Sequence, residues 1–172
     1  QDDMVTLTNC FPDHEDLQGP AGIDVPQVIA RFIAPKSKVW TTEENMLAYL
    51  EREAQQKQAK LTQVDWLDIA TIPEDLLARF PYEEHPANIA LVAKMAADMQ
   101  LTRTMAIKEM ADRVVPDIGV LQVFPYTRVM GRNMRFINGM SANERYGAVT
   151  NWKRLAYDNI ERQLNGDFNL VT

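Results

Sequence analysis

Three short stretches of the chain place side chains with chemical potential close together. The first is Asp13-His14-Glu15-Asp16, which comes after the apolar, β-branched run Met4-Val5-Thr6-Leu7-Thr8. That run alternates as a strand does and stops at Asn9, Pro12 and Asp13. In open parallel sheets ligands bind beyond the carboxyl ends of strands, so an imidazole among carboxylates at such a point is a candidate centre. Oxygen ligands with one imidazole suit Mg²⁺ or Mn²⁺, and Mg²⁺ commonly bridges a few protein groups and substrate phosphates. The same residues also describe a solvated loop that caps a turn.

The second stretch is His85-Pro86-Ala87-Asn88, where Asn88 falls in the first turn of a helix. An amide presents both donor and acceptor, as a purine edge requires, although Asn near a helix start is also ordinary capping chemistry. The third is Asn138-Gly139-Met140-Ser141-Ala142-Asn143-Glu144, between a strand and a helix. Its amide, hydroxyl and carboxylate groups, beside a glycine that admits close backbone approach, can meet a phosphate or a substrate. Arg128, Arg132, Arg135 and Arg145 lie around it in sequence and can pair with carboxylates or phosphates, or stand as scattered surface arginines. Cys10 is the single cysteine; as a strand-end residue it reads as small and buried, with a nucleophile as the alternative.

The elements that must hold these groups alternate strand and helix. A helix is expected over Val25 to Ile33, with Asp24 as N-cap and Val28, Ile29, Phe32 and Ile33 inward. Val39-Trp40 suggests a strand, and Thr41-Thr42-Glu43-Glu44 reads as a capping box for a helix from Glu43 to Gln58 with Met46, Leu47, Leu50 and Ala54 inward. Leu61 to Val64 is a further short strand, and Asp65 to Phe80 is ambiguous around Pro73. Next comes a helical hairpin: Pro86 to Met99 on Ile89, Val92, Ala93 and Ala96, then Arg103 to Val114 on Met105, Ile107 and Met110. Pro116 and Gly119 interrupt the helical pattern and mark a hinge. Strands at Val120–Pro125 and Met134–Ile137, a turn at Gly131–Asn133 and a helix from Gly147 to Leu164 complete the chain. Such alternation predicts an α/β fold with a mainly parallel sheet.

The 172 residues, 46% hydrophobic and 24% charged, are enough for one substantial core. A net charge of -6 without a basic run argues against nucleic acid as a general partner. One cysteine excludes an internal disulfide and fits a reducing, cytoplasmic setting. No apolar run reaches the roughly 18 residues of a membrane span. Neither G-x-x-x-x-G-K-[ST] nor G-x-G-x-x-G occurs, so the chain carries no recognisable cradle for a triphosphate or dinucleotide, and the Cys and His count rules out a zinc pattern.

In order and spacing the three stretches resemble the Mur ligase family, in the branch of poly-γ-glutamate synthetase ligase subunits. Thr6 to Pro20 resembles that family's T-N-x-x-x-D-H-x-D-x-x-G-P segment, and the helix start at Asn88 is similar to its adenine-contacting one. Phe136 to Glu144 resembles F-V-N-G-F-A-A-N-D, and Asn151-Trp152-Lys153-Arg154 is similar to the family's N/I-W-K-R further along the same helix. The resemblance implies residues 1–115 as the later half of a central ATPase domain with a mainly parallel sheet. It implies residues 116–172 as a linker strand and the opening strand and helix of a C-terminal Rossmann-like domain.

The implied activity is ATP-dependent joining of a carboxylate to an amine through an acyl phosphate, with ATP and Mg²⁺. His14 would hold a metal or its waters, Asn9 and Asp13 would shape that loop, and Asn88 would meet adenine. Asn138, Asn143 and Glu144 would face nucleotide or substrate from a mobile last domain. The implied partners are an amino-acid or glutamyl substrate and an N-terminal segment or subunit that supplies the phosphate loop, without which the isolated chain is expected to be inactive. A membrane-associated synthase complex, at the inner face of the membrane, and a homo-oligomer are further implied associations. The chain departs from the family at Glu144, where Asp is usual, at Gln122, where this branch has Arg, and in lacking the Lys that many members carry on the helix after the D-H motif. The alternative reading is a non-catalytic interaction or regulatory module on the same scaffold.

Overall fold

A computed structural model of the chain describes residues 3–12, 15–20, 22–142, 145–159 and 162. The fold is mixed α/β and separates into two compact units, Gln1–Pro116 and Asp117–Thr172.

The first unit is built on a three-stranded parallel sheet of β1 (Met4–Leu7), β2 (Lys38–Thr41) and β3 (Lys60–Gln63), in that order. The register is unbroken, with Val39 between Val5 and Leu61, and Thr41 between Leu7 and Gln63. Successive strand residues point to opposite faces, and β2 shows why this sheet is covered on both. Val39 packs with Leu7, Val25, Ala30, Ile33, Leu50 and Ala54, while its neighbour Trp40 packs on the other face with Val64, Ile72, Leu76, Ile89 and Ile107. Trp40 is 1% exposed, and its indole N–H finds a partner 2.7 Å away in the carboxylate of Asp98.

On the Val39 face lie α1 (Glu15–Gln18), α2 (Asp24–Ile29) with a 3-10 turn at Ala30–Phe32, and α3 (Leu47–Gln56). Asp24 is the first helical residue and not the cap, which falls at Ile23. The switch to 3-10 geometry turns Phe32 outward, to 66% exposure, in place of the inward position expected from a continuous α-helix. On the Trp40 face lie α4 (Trp66–Ala70), α5 (Glu74–Leu77), α6 (Pro86–Asp98) and α7 (Arg103–Arg113). The ambiguous stretch resolves into two short helices: Asp65 and Asp68 form a reciprocal capping box for α4, and Pro73 caps α5. In α7 the buried residues are Ile107 and Ala111, one turn apart, and Met105 falls off that face at 63% exposure.

The second unit is an antiparallel ribbon and then α8 (Arg145–Arg154). β4 (Gln122–Val123) pairs with β7 (Ile137–Asn138), and the ladder extends to Phe124 N–H on Phe136 O at 3.0 Å. β5 (Thr127–Val129) then pairs with β6 (Arg132–Met134) through Arg128 opposite Asn133. The register shifts by one between the two pairs, so Pro125 and Tyr126 together oppose Arg135. This is a β-bulge at a residue with no N–H to contribute. The expected strands were one at Val120–Pro125 and one at Met134–Ile137; the ribbon instead has four short strands and turns at Met130-Gly131, both at positive φ (50° and 79°). Asn133, expected in the turn, is a strand residue. Helix α8 starts at Arg145 and ends at Arg154, short of Leu164, where Ala156 at φ 55° and a Tyr157 N–H to Trp152 O bond close its last turn.

Candidate functional site

Because the sheet is parallel, β1 and β2 end at the same edge, and the loops leaving them are tied together there. Thr42 Oγ1 donates to Thr8 O at 2.5 Å, and Thr42 N–H reaches Leu7 O at 3.3 Å. Glu43 lies 3% exposed between the loops. Its carboxylate accepts Cys10 N–H at 2.5 Å and Met46 N–H at 2.8 Å, and its own N–H donates to Thr41 Oγ1 at 3.0 Å. The expected capping box at residues 41–44 is therefore corrected. Thr41 is the last residue of β2, α3 begins at Leu47, and Glu43 serves both the helix start and the loop that leads to Asp13 and His14. Asn9 stays exposed and folds that loop locally by accepting Phe11 N–H at 3.1 Å.

Asp13 and His14 lie outside the described residues, so the geometry of this loop is given up to Pro12 and again from Glu15. Among the described residues no group of three His, Cys, Asp or Glu side chains converges as a metal site. Cys10 is buried; desolvation first, then the charge and hydrogen bonding of Glu43, push its thiol up to about 12. A thiol so held is protonated at neutral pH, which counts against the nucleophile alternative.

A second polar group gathers at the start of α6. His85 is the N-cap, its Nδ1 accepting Ala87 N–H at 3.2 Å, and Pro86 occupies the first helical position. Glu84 then accepts three bonds: His85 N–H at 2.8 Å, Asn88 Nδ2 at 3.1 Å and the Tyr82 hydroxyl at 2.5 Å. Burial and the Glu84 carboxylate raise the Tyr82 phenol to about 12, so it stays a donor throughout the neutral range. These groups border a cleft of about 390 Å³ whose other walls include Phe80, Ile89, Val92 and Met110. Apolar walls with a few convergent polar groups at one side are the features that hold a flat heteroaromatic ring and fix its orientation. The exposed Asn88 stands at the polar side, anchored by Glu84 through one N–H of its amide. Tyr82 and Glu84 line this candidate cleft and are residues that sequence reasoning misses. Glu84 precedes the His-Pro helix start and carries no motif of its own.

In the second unit, Asn138 is committed to its own loop. Its Nδ2 donates to Ile118 O at 2.6 Å and its Oδ1 accepts Met140 N–H at 3.3 Å. Ser141 N–H bonds Gly119 O at 2.8 Å, and a Cβ at Gly119 would meet the Ser141 backbone nitrogen at 3.2 Å. This loop is thus stapled closed by Asn138 and by the bare glycine. Asn143 and Glu144 lie outside the described residues. The arginines do not form a ring about Asn138: Arg132 is six strand residues away, roughly 20 Å along the ribbon. Arg128 and Arg132 lie in the β5–β6 hairpin, Arg135 follows β6, and Arg145 opens α8.

The fold and these groups describe an α/β protein with a polar network at the carboxyl edge of a parallel sheet and an apolar-walled cleft at a helix start. Comparison adds kinship. The chain is 24% identical over 163 residues to "Capsule biosynthesis protein CapB" of Bacillus anthracis, covering 93% of this chain and 34% of that protein. It is 23% identical over 155 residues to "PGA synthase CapB" of Bacillus subtilis (strain 168), covering 90% of this chain and 38% of that one. The chain therefore spans little more than a third of the curated relatives it matches, and the likeness supports a relationship to capsule and PGA proteins. No protein-family model matches it, and no solved structure does. No helix among the described residues is long and apolar enough to cross a membrane.

Proposed function

We propose that this chain is part of an ATP-dependent, Mur-type carboxylate-amine ligase that joins glutamyl units in poly-γ-glutamate synthesis. The observation that carries the reading is the likeness over 93% of the chain to a capsule biosynthesis protein, which runs through all three polar stretches. What supports it in the geometry is the α6 cleft, whose apolar walls include Ile89, Val92 and Met110 with the exposed Asn88 amide at its polar side, where this reading puts the adenine ring. Phosphoryl transfer from ATP supplies the free energy for the amide bond by converting the carboxylate to an acyl phosphate.

Mg²⁺ suits the hard oxygen donors of the first stretch; Asp13 and His14 would hold it or its waters. The described residues contribute the frame of that loop, through Glu43 on Cys10 N–H and Thr42 on Thr8 O. The transferring phosphoryl group needs neutralisation and in-line placement, and no phosphate-binding loop occurs in this sequence. A further segment or subunit supplies it in this proposal, at the cytoplasmic side of a synthase complex. In this proposal Asn143 and Glu144 act on substrate or nucleotide, and Asn138, engaged with Ile118 O and Met140 N–H, shapes the loop that leads to them.

The reading is tested at the cleft. Asn88→Ala should weaken adenine nucleotide binding about tenfold, the worth of one to two hydrogen bonds, without altering thermal stability by more than a degree or two. Equal affinity for ATP in the two proteins would remove the cleft from the nucleotide site.

A further inference from the structure

The β5–β6 hairpin is chemically unlike the rest of the chain. From Ile118 to Asn143 there is no Asp or Glu, while Arg128, Arg132 and Arg135 all occur. The first unit, residues 1–116, carries eleven basic against nineteen acidic residues; residues 117–172 carry seven against five. The net negative charge of the chain thus hides a locally positive segment.

All six residues of β5 and β6 are exposed. Among the described residues neither Arg128 nor Arg132 has a carboxylate partner. Strand alternation sorts them. Arg128 lies opposite Asn133, and Tyr126, two residues back in the bulge before β5, falls on the same side by alternation. Arg135 joins that face: its guanidinium carbon stands 4.7 Å from the centre of the Tyr126 ring, and its Nε donates to Phe124 O at 3.1 Å. Arg132 falls on the other face with Val129 and Met134.

One face of the hairpin therefore presents a guanidinium over an aromatic ring, a second arginine diagonally across the ribbon at roughly 7–8 Å, and Asn133 opposite that second arginine. The Tyr126 ring and the bond to Phe124 O hold the exposed Arg135 through its Nε, and among the described residues its terminal nitrogens, the pair that forms a fork for carboxylate, make no hydrogen bond.

We propose that this face, Tyr126, Arg128, Asn133 and Arg135, is a docking surface for a polycarboxylate chain, the γ-linked glutamate polymer. The inference rests on the ligase reading above and names where that polymer is gripped. Charge complementarity selects the occupant: regularly spaced carboxylates meet two arginines that have no acidic neighbour in their own segment. A γ-linked chain also carries methylenes in its backbone, which the exposed Tyr126 ring and the arginine stems can cover.

The test is binding of fluorescein-labelled γ-linked polyglutamate to the full 172-residue chain at low salt, beside single-stranded DNA of equal charge. Arg128→Gln should weaken polymer binding about fivefold, and Arg135→Lys, which keeps the charge and loses the fork, should weaken it to a similar degree. Arg132→Gln removes the same charge from the opposite face and should change binding less than about twofold. Equal losses in R128Q and R132Q, or no polymer binding by the parent chain, would overturn the proposal. DNA binding as tight as polymer binding, with the same response to R128Q, would overturn it in favour of a nucleic-acid surface. ATP affinity is measured separately on the chain joined by the segment that supplies the phosphate loop: polymer binding lost with that affinity intact condemns this inference alone, whereas absent ATP binding by the complete assembly counts against the ligase reading.

Discussion

Replacing Glu43 with Gln asks whether the loops after β1 and β2 form one unit. The carboxylate is 3% exposed and receives backbone N–H bonds from Cys10 at 2.5 Å and Met46 at 2.8 Å, one on each oxygen. Gln keeps one acceptor and turns an NH₂ toward the other donor. One bond persists without its charge assistance, and one buried N–H is left facing another donor. Losing charge assistance costs about 1 kcal/mol and an unsatisfied buried N–H about 1–3 kcal/mol, giving about 3 kcal/mol in all. For the first unit that is a fall in melting temperature of roughly 10 °C. Urea titration monitored by tryptophan fluorescence is suited to the measurement, because Trp40 sits in the core of the same sheet. Hydrogen exchange should show Cys10 and Met46 amides losing protection ahead of the strands. A stability within about 0.5 kcal/mol of the parent, the ordinary range for surface substitutions, would refute the bridging role.

The same geometry carries two more expectations. With its thiol pushed up to about 12, Cys10 should react with a disulfide reagent at pH 8 about a thousandfold more slowly than a free cysteine, and Glu43→Gln should restore part of that rate, since burial remains. The folded pKa lies above the unfolded one, so this contribution to stability is complete below about pH 8.5 and is lost as the pH rises toward 12; native-state reaction at free-thiol rates would refute it. Gly119→Ala places a Cβ about 3.1 Å from that of Ser141 and 3.2 Å from its backbone nitrogen, and should destabilise the second unit by about 1–2 kcal/mol in a denaturant titration.

The sequence was legible where burial writes a period. Val39-Trp40, Leu50 with Ala54, and Ile89 with Ala93 all sit in packed elements, and their spacing alone indicates a covered parallel sheet. It was illegible where geometry departs from that period. Phe32 turned outward because a 3-10 turn ends α2, and Met105 because α7 packs on Ile107 and Ala111. The β5–β6 hairpin left no hydrophobic signature, since both of its faces are exposed, and its turn uses Met130 where Asn would have signalled it. Glu43 shows the limit at the candidate site. A carboxylate near a helix start reads as a local cap, and its second partner, Cys10, is 33 residues away in sequence. Asn88 was legible as a helix-start amide, but the cleft beside it is made by Phe80, Tyr82 and Met110 from other segments.

The most direct test of the ligase proposal is amide-bond formation by this chain together with the polypeptide segment that supplies a phosphate-binding loop, given ATP, Mg²⁺ and glutamate, with and without His14→Ala. The account predicts glutamyl amide product in step with ADP and phosphate release. It predicts a loss of at least about a hundredfold in rate for His14→Ala, roughly 2.7 kcal/mol of barrier, with unchanged melting temperature. Ligation at the parent rate in the His14→Ala protein would contradict the site, and no ATP-dependent amide product from the complete assembly would contradict the function itself.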